Sequence, residues 1–595
     1  MKERFRLLGL FLVWGICSIA MAQYGKVTGY IEDVDTQLPL VGVNVILQGT
    51  DRGTVTDRNG NYYILNIPPG TYKVKASMIG YQPIIKTNVL VSINRTSKVD
   101  FALKTTPIEL DAVVVEAKRP PIIEDQTHSS TFMRSDEVEN STSQGLRSVI
   151  DLVSSISKES DGSFSVRGGP ADDLKFYVNG VEQSKVGTSR PGSVGQLDNR
   201  NWLQDFNPLA VKEMEIIVGG FNAEYGRAQS GVVNVITKDG GEKIAGKLQY
   251  EYSPPGKYHF GHYLYDREKS VEWQNWGELE DWQNWNQSLS ENDRIDEDSL
   301  AYLHSLWVDN HTPSDHHLGG AYDYRDLAYH RVLFGVGGPF GEALRFYVSG
   351  EDRREPTRIP TNQRENHYQN YTLSLSKHFE NARLQFTGQY AHLNGGNVGT
   401  YQNSITAAGR PGKYKYALER DNDRNEFVTT QSLKWTHNTS RSTFYEIQLY
   451  HNREMSRCVQ EAIEGAKNPW WIPGGSWDEG YLKNSISYNI FTEDTRIDLW
   501  DIKAALTSQI GVHHQLKMGF NGKYWDVFTN NESTTPNRWI TSFSYSTYYE
   551  GNPYCFSAYV QDKMEYGQMI TNFGARVDGY NFNTAYYENR FNPFY

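Results

Sequence analysis

From Lys243 onward, apolar and polar residues alternate with a period of two, the side-chain repeat of a β-strand. In Arg383–Tyr390, Leu384, Phe386 and Tyr390 fall on one face, and Arg383, Gln385, Thr387 and Gln389 on the other. Gln515–Lys523 repeats this, with Leu516, Met518 and Phe520 opposite Gln515, Lys517, Asn521 and Lys523; Leu344, Phe346 and Val348 follow suit. An apolar face toward lipid and a polar face inward is the pattern of antiparallel transmembrane β-barrel strands. A soluble sandwich gives the same alternation. The connections separate the two. Short turns at Gly341–Ala343, Glu380–Asn381, Thr439–Ser442, Gly511–His513 and Tyr566–Gly567 alternate with long polar loops near Ser253–His330, Asp352–Gln369, Asn394–Asn425, Ser456–Thr492 and Asn530–Tyr554. Barrels have short turns on one side and long loops on the other; a sandwich has no reason for that regularity.

Upstream the strands are shorter. Lys26–Glu32, Val43–Gln48, Tyr62–Leu65, Thr71–Ser77 and Lys98–Leu103 are separated by turn sequences such as Asp57-Arg58-Asn59-Gly60 and Pro68-Pro69-Gly70, which predicts a small seven-stranded β-sandwich. Further on, Ser135-Asp136-Glu137 starts a helix, and Gly145–Ile156 reads as a short amphipathic one. Met214–Val218 is strand-like and runs into Gly219-Gly220, a loop over Phe221–Ser230, and a β-branched run over Gly231–Thr237. Helix and strand here predict a small α+β domain.

At 595 residues the chain holds several domains. Its net charge of −12 argues against nucleic acid as a partner. Aromatics are abundant, with 39 Tyr and 14 Trp, and the mean hydropathy of −0.61 suits a barrel whose lipid face is spread over alternate residues. Lys2, Arg4 and Arg6 precede an apolar Leu7–Ala20 and an Ala20-Met21-Ala22 cleavage sequence, so the mature chain is expected to begin near Gln23. Cys17 has no lipoprotein context; Cys458 and Cys555 then remain, and their pairing is left open.

Two resemblances sharpen this picture. Phe164-Ser165-Val166-Arg167-Gly168-Gly169, then Val178-Asn179-Gly180-Val181, then Glu224-Tyr225-Gly226 and Ser230-Gly231-Val232-Val233 resemble, in order, the motifs of the plug domain of TonB-dependent outer-membrane receptors. Many relatives carry a cation before a Gly-Pro where this chain has Val218-Gly219-Gly220, which puts a plug-to-barrel ion pair at that point in doubt. Pro39–Val45, Gly53–Asp57, Pro69–Tyr72 and Gly80-Tyr81 resemble the carboxypeptidase-regulatory-like domain, an accessory module; a zinc peptidase needs histidine or glutamate ligands, and Gly25–Lys104 has no histidine.

Position then gives Ile108–Ala117 two readings, a last sandwich strand with linker, or a strip resembling the TonB box. An extended peptide can add as a strand to a partner's sheet, and Asp111, Ala112, Val113, Val114, Val115, Glu116 and Ala117 are β-prone and free of proline. In the first long loop, Trp273, Trp276, Trp282 and Trp285 form a local duplication that either stacks on a ligand or builds a small core of its own. His451 and Glu454 fit H-x-x-E, but three residues apart on a strand they face opposite sides. No P-loop, Gly-x-Ser-x-Gly or paired-Cys zinc pattern occurs, so no enzyme, metal or cofactor is expected.

The expected division is a signal peptide over 1–22, the sandwich over 23–106, the TonB-box-like linker over 107–121, the plug over 122–241, and barrel strands over 242–595. About eleven barrel strands are counted, against the about 22 of plugged transporters. Phe591–Tyr595 contains a strand-breaking proline, so the barrel is expected to be incomplete in this chain. The resemblance implies a receptor in the outer membrane, in contact with its lipid. It would import a nutrient (an oligosaccharide, peptide or metal chelate) using a TonB-type energy-transducing protein of the periplasm. A sensor signalling through the N-terminal domain and a secreted carbohydrate-binding adhesin are the alternatives.

Overall fold

The computed structural model describes residues 24–583 apart from 51, 107–111, 117–128, 141–148, 151, 159–163, 170–173, 184–206, 227, 229, 264, 270, 313–322, 342, 357–363, 397–422, 460–489, 536–542 and 567–568. The targeting segment and Phe591–Tyr595 lie outside the described residues.

Two sheets form the N-terminal sandwich. In one, Gly25–Asp33 pairs antiparallel with Asn61–Ile67 and parallel with Thr96–Lys98 and then Phe101–Leu103 along its other edge. The second runs in the order Gly53–Val55, Asn44–Gln48, Gly70–Ser77, Ile84–Val91, Val113–Glu116. Alternate residues point inward, so Val27, Ile31, Val45, Leu47, Ile64, Val74 and Phe101 make one core. Ile84–Val91 escaped the sequence pattern because Asn88 adopts a left-handed conformation, φ +60°, which interrupts its alternation.

The next domain is a five-stranded sheet in the order Ser130–Arg134, Val211–Ile217, Gly231–Thr237, Leu174–Val178, Val181–Glu182. Gly231–Thr237 lies at its centre, antiparallel to Val211–Ile217 and parallel to Leu174–Val178. It is buried on both faces, which explains its unbroken β-branched run. A helix over Ser135–Glu139 begins where expected. Of the expected helix Gly145–Ile156, Val149, Ile150 and Val153 pack into the core, but Ile156 already starts the strand Ile156–Lys158. The helix therefore ends earlier than the periodicity suggested; residues 145–148 and 151 lie outside the described residues.

Twelve strands from Ala245–Ser253 to Met569–Asn581 form one antiparallel sheet. Phe543–Gly551 and Tyr554–Tyr566 lie end to end along the same neighbour, His514–Thr535, so eleven positions run across the wall. Short turns fall where the alternation breaks between Asp423–Asn438 and Thr443–Val459 and between Ile490–Ile510 and His514–Thr535. The sheet is open: among the described residues its edge strands, Ala245–Ser253 and Met569–Asn581, do not pair with each other. Its faces are inverted relative to a soluble protein. Ser349, Glu351, Ser374, Gln448, Lys503 and Lys517 are buried, while Leu433, Leu449, Trp500, Phe556 and Val577 are exposed. Strands Ile490–Ile510 and His514–Thr535 reach 21 and 22 residues, well beyond the ~9–11 that cross the hydrocarbon layer.

Candidate functional site: the interface between plug and barrel wall

The small α+β domain sits against the polar face of the wall, moored there at four places besides the Glu139–Lys247 pair at 3.3 Å. The first is the hairpin Leu174–Val178/Val181–Glu182, whose turn is Asn179-Gly180. Both turn residues have positive φ, +49° and +83°, the requirement of the two-residue turn that matches strand twist. The Asn179 side chain fixes that turn to the central strand: its Nδ2 donates to Thr237 Oγ1 at 2.8 Å, and its Oδ1 accepts the Thr237 N–H at 3.0 Å. The tip then meets the wall. Gln448 Nε2 donates to the Asn179 carbonyl at 3.2 Å, Lys503 Nζ to the Gly180 carbonyl at 2.6 Å, and Lys523 Nζ pairs with Glu182 Oε2 at 2.5 Å.

The second mooring is the loop after Val211–Ile217. Glu224 pairs with Lys517 at 2.6 Å, and Arg576 donates to the carbonyls of Ala223 and Glu224. Tyr225 is buried against Tyr177, ring centroids 5.3 Å apart. Gly226 lets the Arg576 guanidinium close in on the backbone; a Cβ there would stand 2.7 Å from it, and the arginine would have to shift. Third, Asp239, just after the central strand, lies between Lys212 at 3.4 Å and Arg383. Burial alone would raise its carboxyl, but those two cations offset this and hold it down at about 2. Fourth, Asn207 donates to the Phe334 and Gly350 carbonyls, and Tyr347 to that of Leu209.

At the first three moorings a carboxylate of the small domain meets a cation of the wall: Glu182 with Lys523, Glu224 with Lys517 and Asp239 with Arg383. Each pair is out of water, so its Coulomb attraction is little screened and the loss of either partner strands a buried charge. Between the first two moorings lies a cleft lined by Tyr177, Glu182, Glu224, Lys503, Lys523 and Arg576 among others.

The motif residues therefore build the mooring. Arg167 and Gly168 hold positive φ in a tight turn, and Gly169 packs so closely on Ser230 that a Cβ would lie 2.2 Å from its Oγ. Gly231 lies against Leu174 and Val166. The four tryptophans meet in a different way. Residues 254–328 carry helices Val271–Trp276, Leu279–Gln287 and Glu297–His311, and Trp273, Trp276, Trp282 and Trp285 pack with Leu300 and Trp307 in a core of their own. That is the second of the two readings offered for them. His451 bonds Asp498, whereas Glu454 bonds Asn452 on the opposite face.

The TonB-box-like strip does not stand free. Val113–Glu116 pairs parallel with Ile84–Val91 as the edge of the sandwich, with all four side chains exposed. Ala112 adjoins it, and Asp111 and Ala117 lie outside the described residues. Sequence reasoning missed the ion pairs. Their signal was partial: Lys517 and Lys523 were on the predicted inner face, and Glu224 was in the motif, but nothing paired them. The charged contacts with the wall come instead from Glu182, Glu224 and Asp239.

The inverted wall and the moored domain define part of a plugged β-barrel, its sheet open among the described residues. Residues 123–233 match the model of the TonB-dependent receptor plug domain, and residues 27–115 that of the CarboxypepD_reg-like domain. The chain carries these two domains in tandem, ahead of barrel strands. It is 25% identical over 255 residues to the TonB-dependent transporter Oar of Myxococcus xanthus, covering 40% of this chain and 22% of that one. To the TonB-dependent receptor P39 of Formosa agariphila it is 32% identical over 221 residues, 36% and 20% of the two chains. To the TonB-dependent receptor SusC of Bacteroides thetaiotaomicron it is 28% identical over 260 residues, 41% and 24%. Each match spans less than a quarter of the relative's own length. The carboxypeptidase likeness is confined to the regulatory-like domain.

Proposed function

We propose that this protein is a receptor of the outer membrane of a Gram-negative-type bacterium that binds an external nutrient and imports it past the plug, acting as a transporter and not as an enzyme. The observation that carries this is a plug bearing the receptor motifs, held by lysine–glutamate pairs against a wall that is polar inside and apolar outside. Ion pairs hold a domain that must be movable: they are strong when complete, and rearrange once one partner is drawn away.

The pull comes from a TonB-type periplasmic protein acting on Asp111–Ala117. The Val113 N–H donates to the Pro83 carbonyl, and along a parallel ladder successive residues turn to opposite sides. Val114 and Glu116 therefore direct their backbone groups to the open edge, where a partner's strand can add. Val114→Pro removes one outward donor without breaking the bond to Pro83. Accumulation of nutrient in cells is expected to be abolished, with surface binding and barrel assembly unchanged. Unchanged accumulation refutes the handle, and Val113–Glu116 is then only a sandwich strand.

A further inference from the structure

The sandwich does more than precede the plug: it also sits against the short-turn end of the barrel wall. Its first residues reach the inner face of the wall at the short-turn end. Lys26 Nζ lies 2.5 Å from Glu565 Oε2, both side chains well buried, and 3.3 Å from Gln509 Oε1. Thr96 Oγ1 donates to the other oxygen of Glu565 at 2.7 Å and accepts from Lys563 at 3.2 Å. The Tyr24 ring packs edge-on against Phe444, with Leu65 and Tyr63 beside it. Asn66 Nδ2 donates to Asn438 Oδ1 at 2.6 Å. Asn438, Phe444, Gln509 and Glu565 belong to strand ends that flank three different short turns, so these contacts span several strands of the mouth.

The same domain also touches the plug. The Ile93 N–H points at Glu213 Oε1, 3.4 Å away, Arg95 donates to Ser130, and its guanidinium stacks 3.9 Å above the Phe132 ring. Plug and sandwich thus lie in series along the path that leads from the lumen past the short turns. We propose that the sandwich is a second stopper, latched to the mouth by Lys26–Glu565 and the Tyr24–Phe444 contact, and that it must undock before solute leaves the barrel. The proposal rests on the receptor reading for its orientation, short turns toward the periplasm. It also gives the strip a route for force: a pull on Val113–Glu116, zipped to Ile84–Val91, reaches the sandwich first.

The test uses the whole receptor in its own membrane, with vancomycin, a glycopeptide too large to cross an intact outer membrane, as the probe. One strain carries Glu182→Gln with Glu224→Gln to loosen the plug, a second Lys26→Ala with Glu565→Gln to release the mouth, and a third all four. Two barriers in series predict at most about twofold greater sensitivity from either pair alone and about tenfold from both together, a non-additive result. Equal sensitivity of the plug-only and combined strains overturns the proposal, as does unchanged sensitivity in all three. A cysteine pair, Asn66→Cys with Asn438→Cys, reads docking without permeation. Oxidation in resting cells should cross-link most of the chain, and absence of the cross-link overturns the docked arrangement. None of these readouts needs nutrient uptake, so a failure of the receptor reading, seen as wild-type cells that accumulate no nutrient, is distinct from a failure of the stopper.

Discussion

The Lys523–Glu182 pair offers the sharpest test of how the plug is held. Both side chains are buried and their atoms are 2.5 Å apart. Lys523→Met keeps the length and the apolar stem but leaves the Glu182 carboxylate in a site built for a cation. Removing one partner of a buried pair costs about 3–5 kcal/mol. The lower end applies here, because Lys503 lines the same cleft, bonded to the Gly180 carbonyl two residues away, and remains as a partial substitute. About 3 kcal/mol is roughly a hundredfold in an opening equilibrium. The assay is amide hydrogen exchange of Leu174–Val178 and Gly231–Thr237 in the full-length protein in lipid nanodiscs. These strands are expected to exchange about a hundredfold faster in Lys523→Met. Adding Glu182→Leu removes the stranded charge and should restore exchange to within about tenfold of the parent, since well-packed apolar replacements of a buried pair are close to neutral. A change below about tenfold in the single variant, or a double variant as loose as the single, refutes the mooring as described.

Glu213 should make contact between sandwich and plug depend on pH. Burial pushes its carboxyl up to about 7 from the ordinary 4.5, and Glu215 adds to this against the lowering pull of the Ile93 N–H. A raised carboxyl favours the protonated fold, so stability is full below about 4.5 and falls as pH rises through about 7, by roughly 3 kcal/mol in all. Protection at the Ser92–Arg95 turn, taken relative to the intrinsic exchange rate at each pH, should fall over that window and lose its pH dependence in Glu213→Gln; a parent protection profile that is flat from about 4.5 to about 7 counts against the argument. In the external loop, Trp282→Ala empties the centre of the three-helix core at a cost of about 3–5 kcal/mol. Proteolysis within Val271–His311 should then accelerate at least about a hundredfold while barrel assembly is unaffected, and an unchanged cleavage rate would contradict the core assignment.

The wall was legible in the sequence because lipid outside and water inside impose a strict two-residue code on strands such as Ala382–Gly396 and His514–Thr535. Their ends were not. The alternation continues past the expected loop starts, and Ile490–Ile510 and His514–Thr535 are longer than the reading allowed. The helix Glu297–His311 was passed over although Leu300, Leu303 and Trp307 recur at helical spacing, because the reading stopped at the duplicated tryptophans and did not follow the periodicity beyond them. The motif glycines were legible as tight turns and close approaches. The charges that hold the plug were not, because Glu182 and Lys523 lie 341 positions apart and no local pattern couples them. The sandwich edge was ambiguous for the opposite reason: Val113-Val114-Val115 suits a strand in either partner, and sequence cannot say which sheet it joins first.

The two longest strands have a consequence at the cell surface. A strand of 22 residues at about 3.3 Å per residue and a tilt near 45° rises about 50 Å, against a lipid-facing band of about 25 Å. In the proposed membrane the wall at these two strands thus stands about 25 Å proud of the lipid, a raised collar rather than a flush rim. Solutes arriving sideways through the carbohydrate layer meet protein before they meet bilayer. Antibodies and phage tails can grip this collar without ever touching the loops that crown it.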